Sequence, residues 1–310
     1  MTVTAPSAAA STATARGAAA CTAGMVMVGT SIAISPTLVN YPVLAGQAWR
    51  YLAAGVVLMG LLVSRGERLR RLRLEQWLRL AALAATGLAA FNWFVIEGAM
   101  HADPALLAAV VGAVPIVLAV LGPMLARTGV RPLTVAGALV VGVGIVVVSG
   151  ATAAPLAAVP YAVGIVMCEV LFTLLAVPLL EELSPLELSA AVCFVAVPML
   201  ALAALAEPGP KVAIPTPTEG LALLYMAVIT TAVAFLLWYD GVIRLGPDRA
   251  GLFAGVMPVA GSVAGMALGT SETSSTSLAG ALLCGLGVAI GMRSGRNRDI
   301  SEHTRAVSRP

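Results

Sequence analysis

Residues 97–150 and 240–293 are one segment written twice, with a constant offset of 143 and no gap. Glu97-Gly98 matches Asp240-Gly241, Pro104 matches Pro247, Gly112 matches Gly255, and Pro115 matches Pro258. Ala136-Gly137-Ala138-Leu139 matches Ala279-Gly280-Ala281-Leu282, followed by Gly142 with Gly285 and Gly144 with Gly287. A long internal repeat in an apolar chain predicts two like structural halves, with any ligand site where the halves meet.

The chain is 59% hydrophobic and only 11% charged over 310 residues. Soluble domains carry about 25% charged residues. One soluble core cannot hide this much apolar surface, so the fold class is an all-α polytopic membrane protein embedded in a lipid bilayer. The net charge of +3 gives no sign of a nucleic-acid partner. Cys21, Cys168, Cys193 and Cys284 all lie in apolar stretches without metal spacing, so neither a metal site nor a disulfide framework is expected.

A span needs about 20 apolar residues. Ten windows qualify: 18–38, 43–63, 80–100, 104–125, 133–150, 157–178, 186–206, 220–240, 248–268 and 276–292. Residues 1–17, rich in Ala, Ser and Thr, read as a disordered tail rather than a cleaved signal, because the apolar run after them is long enough to span. The organisation is therefore a tail at 1–17, a first five-helix unit at 18–150, a second at 157–293, and a tail at 294–310.

Basic residues set the orientation. With the N-terminus in the cytoplasm, 16 of the 18 basic residues fall inside, six of them in the loop Ser64–Arg79. Lys211 falls outside and Arg50 within the membrane. Both termini are then cytoplasmic in a multi-pass protein of the cell inner (plasma) membrane. Five spans per unit is an odd number, so the second unit enters the membrane upside down relative to the first: two inverted five-helix repeats.

The block from Phe91-Asn92-Trp93 through Asp103-Pro104-Ala105 to Ala113-Val114-Pro115 resembles the EamA-type domain of the drug/metabolite transporter superfamily. Its second copy is clearer. Thr230-Thr231-Ala232-Val233-Ala234-Phe235-Leu236-Leu237-Trp238-Tyr239 leads to Arg244-Leu245-Gly246-Pro247, Met257-Pro258 and a Gly-Thr-Ser-Glu turn at 269–272. Trp49-Arg50-Tyr51 is similar to the family's Arg followed by an aromatic residue. The resemblance runs from about residue 20 to 293. It implies two EamA-like domains of five helices each and movement of small metabolites by alternating access. One departure is the turn after the fourth span, Arg127-Thr128-Gly129, where the family often carries Gly-Glu-Arg.

A charge in hydrocarbon costs roughly 2.5–3.5 kcal/mol on insertion scales, so charged side chains there face the interior. Arg50 lies about 10 Å inside the second span at 1.5 Å per residue. It reads as a cation for a carboxylate of the substrate or of Glu97, or as a side chain snorkelling to the interface. Glu97, in the same membrane half, reads as a proton site, an acceptor for a substrate amine, or one side of an Arg50–Glu97 pair. Glu169, near the middle of the sixth span, is too deep to snorkel. It is the first candidate for proton coupling, with Glu97 the second. Asp240 and Arg244 have the i, i+4 spacing of an interfacial ion pair. Asn92, Trp93, Trp238 and Tyr239 lie on the duplicated third and eighth spans and complete the candidate substrate-binding set. Pro115 and Pro258, with Gly112 and Gly255, weaken the fourth and ninth spans at matching points, and such paired interruptions point to a transport site.

Candidate nucleophiles lack a His or Lys partner and there is no Walker loop, so no enzyme activity and no cofactor is expected. The leading expectation is a secondary transporter, read as an exporter, of a small polar metabolite such as an amino acid or related zwitterion. Efflux of lipophilic cations by proton exchange is the alternative within transport. A scaffold or scramblase-like membrane protein is the alternative of another class. Nothing in the sequence requires more than one copy.

Overall fold

The structure, a computed structural model, describes residues 8–101, 107, 109–150, 155–206, 214–269 and 275–307. Asp103-Pro104-Ala105, Lys211 and residues 270–272 of the Gly-Thr-Ser-Glu turn lie outside these residues.

Every regular element among the described residues is helical. As continuous stretches they are α1 (Ala8–Ile34), α2 (Val43–Ser64), α3 (Leu74–Gly98), α4 (Val111–Leu125), α5 (Pro132–Ser149), α6 (Leu156–Leu180), α7 (Pro185–Ala204), α8 (Pro217–Leu245), α9 (Pro247–Ala267) and α10 (Ser275–Val307). Eight of them, α2, α3 and α5 to α10, contain a stretch long and apolar enough to cross a membrane. α4 is apolar but shorter, and α1 is not among the eight.

Local chemistry sets the starts. Prolines open α5, α7, α8 and α9, where a missing N–H costs nothing. Ser184 and Thr216 cap α7 and α8, and Glu187 and Glu219 reach back to the cap backbone, closing two capping boxes. Gly150 at φ 63° ends α5, and Gly246 at φ 80° ends α8; both conformations suit glycine.

Packing is by close pairs. α5 lies along α10, α2 along α7, and α1 against α8 and α9. The α5–α10 contact is made by glycines. A Cβ added at Gly137 would stand 2.5 Å from the Gly287 carbonyl oxygen, and one at Gly287 would stand 2.6 Å from that of Gly137. Gly144 and Gly280 approach each other in the same way, at 2.9 and 2.7 Å. These backbones touch because no side chain intervenes, the arrangement that lets helices associate where no water drives them together. Leu58, Leu62, Leu80, Leu83, Leu188 and Leu200 fill the space between α2, α3 and α7 and are fully buried. Val56, Val143, Val163 and Leu282 stand more than half exposed on the outside, as a surface covered by lipid requires.

Two helices change pitch at matching points. α3 widens into π form over Ala85–Ala90 and α8 over Val228–Val233, 143 residues later at both ends. α4 and α9 instead tighten into 3-10 form, over Val111–Ala113 and Gly251–Gly255, just before Pro115 and Pro258.

Three expectations change. α1 begins at Ala8, so residues 8–17 are helical rather than a disordered tail, in keeping with alanine's high helix propensity. α10 runs to Val307, through most of the 294–310 tail, because that stretch has no proline before Pro310 to stop it. α3 begins at Leu74 rather than near residue 80, since the Gln76 side chain accepts from the backbone N–H of Arg73 at 2.7 Å and caps the helix there.

Candidate functional site

Two hollows stand out among the described residues. The larger, about 770 Å³, is an open groove between α4, α5 and α6 lined wholly by apolar residues such as Val110, Ile116, Val146 and Met167. It offers no group that could recognise a polar solute. The smaller, about 360 Å³, lies inside the bundle and collects the polar residues of the membrane interior. Arg50, Gln47, Asn92, Glu169, Thr173 and Thr230 line it together with Tyr51, Phe91, Phe172, Phe235 and Trp238. Seven helices contribute: α1, α2, α3, α6, α8 and α9, and α4 through Val111, Val114 and Leu118.

Arg50 does not snorkel and does not pair with Glu97. Its guanidinium turns to α8, where Nε donates to Thr231 Oγ1 at 2.6 Å. Nη2 donates to Thr230 Oγ1 at 3.2 Å and to the Thr230 carbonyl at 3.4 Å. Nη1 donates to Gln47 Oε1 at 3.3 Å, and the cation lies 5.4 Å from the Tyr51 ring centroid. The partners are neutral oxygens. The π turn of α8 brings both threonines to one spot and turns the Thr230 carbonyl toward the arginine, which a residue count at 3.6 per turn does not foresee.

Glu169 sits on α6 across the same cavity. Its carboxylate has no hydrogen bond or ion pair among the described residues; only its backbone carbonyl is engaged, accepting from Thr173 Oγ1 at 3.4 Å. Asn92 donates to the Leu88 carbonyl at 2.6 Å. Phe172, Phe235 and Tyr239 form a ring cluster with centroids 5.2 to 6.1 Å apart that backs the wall.

The structure thus gathers Arg50, Asn92, Glu169 and Trp238 of the expected set. It leaves three outside the lining. Trp93 is 45% exposed and packs on Phe94 and Tyr161 on the outer surface. Tyr239 is fully buried behind Phe235 and Phe172. Glu97 is half-buried near the end of α3, away from Arg50's hydrogen bonds. Pro115 and Pro258 are buried next to the 3-10 turns. Gly112 lies against the backbone of Gly142, and Gly255 against Val141 and Cys284, so both interruptions rest on the α5–α10 pair.

Ser35, in the cavity lining, is exposed. Beyond Leu118 and Gly251 lies an ion pair that the sequence does not announce: Arg131 Nη1 to Asp248 Oδ2 at 3.3 Å, with the two side chains 25% and 9% exposed. Gly122 packs against Pro247 and Asp248 beside it. Asp248 stands at the first turn of α9, where an acidic residue reads as an ordinary helix start, so its partner just before α5 left no signal in the sequence. The expected Asp240–Arg244 pair is formed at 2.7 Å.

The family model described as the EamA-like transporter family matches residues 15–150 and again 152–292. The uncharacterized transporter YetK of Bacillus subtilis (strain 168) is 27% identical over 246 residues, which cover 76% of this chain and 74% of that one. A solved crystal structure, 21% identical, superposes with a TM-score of 0.78 over 90% of this chain and 96% of its own. That likeness concerns the fold.

Proposed function

Since the chain belongs to the EamA-like transporter family and is a membrane transporter, we propose that it carries a small zwitterion, of the amino-acid class, through the cavity of Arg50 and Glu169. One observation carries the reading. Among the described residues, a guanidinium bonded only to neutral oxygens and a carboxylate with no bonded partner share one cavity without pairing with each other. Isolated charges are expensive in hydrocarbon. A solute with a carboxylate and an amine compensates both, and a charge-assisted bond to Arg50 is stronger than the neutral ones it replaces. The aromatic walls suit an apolar side chain between the two charges. An uncompensated cation in the wall disfavours lipophilic cations as cargo.

In this reading ten segments cross the membrane as two inverted five-helix repeats, with both termini in the cytoplasm of a cell whose inner membrane holds the protein. Ser35 then faces outward, and the Arg131–Asp248 pair faces inward, where it acts as a seal of the cavity floor. Alternating access exchanges which mouth is closed, and protonation of Glu169 links the exchange to a proton gradient, in the direction of export. The test is uptake of radiolabelled amino acids and of their decarboxylated amines into proteoliposomes. The wild type should move the amino acids and not the amines, and Arg50→Gln should lose at least tenfold in rate, the scale of about 1.4 kcal/mol. Equal transport of amines and amino acids would overturn the assignment of Arg50 to a carboxylate.

A further inference from the structure

The π turns of α3 and α8 need an explanation beyond symmetry. A π turn bonds i to i+5, is rare, and persists where something holds it. Each of the two has one carbonyl taken by a side chain. In α3 the holder is Asn92, on the same helix, whose Nδ2 donates to the Leu88 carbonyl at 2.6 Å. In α8 the holder comes from another helix: Arg50 of α2, whose Nη2 donates to the Thr230 carbonyl at 3.4 Å. The first hold is internal. The second crosses the cavity wall and stands open to whatever enters.

We propose that Arg50 latches the π turn Val228–Val233, and that a substrate carboxylate opens the latch by taking the guanidinium away from Thr230 and Thr231. This rests on the carboxylate-bearing substrate proposed above. The threonines are set as acceptors. Thr230 Oγ1 and Thr231 Oγ1 both donate to the Met226 carbonyl, at 3.0 and 2.9 Å, so their protons are spent and only lone pairs face the arginine. Against a carboxylate these neutral oxygens lose, because a bidentate guanidinium–carboxylate pair is the stronger bond. Once the guanidinium leaves, the Thr230 carbonyl has no side-chain partner and the surplus residue of the π turn is free to move along the helix. Each residue of register turns the following side chains by about 100°. Phe235 and Trp238, downstream on the cavity wall, are the side chains that turn. Occupancy of the site is thereby tied to a change in its shape. Thr230 and Thr231 are positioning residues in this scheme; they act through Arg50.

Hydrogen exchange read by mass spectrometry on the purified full-length protein tests this without knowing the substrate. Thr231→Val removes the shortest bond to Arg50. It should speed exchange across Val228–Val233 about tenfold and leave Ala85–Ala90, held by Asn92, unchanged. Arg50→Gln should do the same, and guards against a local compensation in the threonine variant. Unchanged exchange across Val228–Val233 in both variants overturns the latch. Acetate then serves as a bare carboxylate, compared with chloride at equal ionic strength. Acetate should speed exchange in this segment severalfold in the wild type and have no effect in Arg50→Gln; equal exchange in the two salts overturns the competition. A wild type that answers acetate but moves no amino acid would condemn the zwitterion reading and leave the latch standing.

Discussion

Cys284 donates its thiol to the carbonyl of Val141 at 3.8 Å, and the two residues occupy the same place in the two copies of the repeat, 143 positions apart. Equivalent residues that touch lie on the axis relating the copies. The glycines around them obey the same relation: Gly137 meets Gly287 and its counterpart Gly280 meets Gly144. The α5–α10 contact is therefore the pivot about which the two copies are arranged.

That pivot has no room. Gly137→Ala or Gly280→Ala places a Cβ within 2.5 Å of backbone or side chain across the contact. Each should cost about 1–3 kcal/mol, the usual penalty for overpacking. Gly60→Ala, an exposed mid-helix site with nothing within 4 Å, should instead stabilise by about 0.4–1 kcal/mol. Thermal unfolding in detergent, with the three variants side by side, checks the contrast. A pivot alanine as stable as the wild type would show that the close contact is not held in solution.

The Arg131–Asp248 pair should govern which mouth is open. Asp248→Asn leaves a mostly buried guanidinium without its carboxylate. A loss of about 1.4 kcal/mol at the seal raises the open fraction about tenfold. A cysteine placed at Ala250, fully buried in the sealed state, should then react with a thiol reagent about ten times faster. The swapped double variant Arg131→Asp/Asp248→Arg should restore slow labelling. Labelling that is equally slow in Asp248→Asn would mean that helix packing alone closes the floor.

Glu169→Gln should fold, since an amide has the shape of the protonated acid, but should exchange solute more slowly, because the charge that meets the substrate amine is gone. It should lose accumulation driven by a pH gradient. Uptake by wild type and variant in matched vesicles, with and without the gradient, reads this directly. Equal gradient-driven accumulation would return Glu169 to a packing role.

The orientation is tested at two loops. A cysteine at Ile214, which is 95% exposed, should be labelled in intact cells by a membrane-impermeant reagent. A cysteine at Arg68, in the arginine-rich loop, should react only after the cells are opened. The reverse pattern would invert the topology.

Much of this architecture was legible in the sequence, and what was not has identifiable causes. The repeat stands out as matched residues at one offset, and the intramembrane charges Arg50 and Glu169 because their chemistry is intolerable in hydrocarbon without a reason. The choice among neighbours was harder. Asn92 and Trp93 are adjacent, so on a helix they point about 100° apart, and only Asn92 reaches the cavity. The same holds for Trp238, on the wall, and Tyr239, behind it. The π turns were invisible: Ala85–Ala90 reads ATGLAA and Val228–Val233 reads VITTAV, and neither has a residue that demands the wider form. They shift the phase of everything after them. Asp248 escaped notice because its role depends on a partner 117 residues away.

The ion pair at one mouth has no twin at the other within the repeat. The counterpart of Asp248 is Ala105 and that of Arg131 is Ser274. Under the alternating-access cycle proposed above, an unloaded carrier with a single bolted door spends its idle time presented to one compartment and hidden from the other. The step that draws the bolt would then pace turnover, so changes in ionic strength at that one face should slow or hasten the whole cycle while leaving the affinity at the opposite face alone.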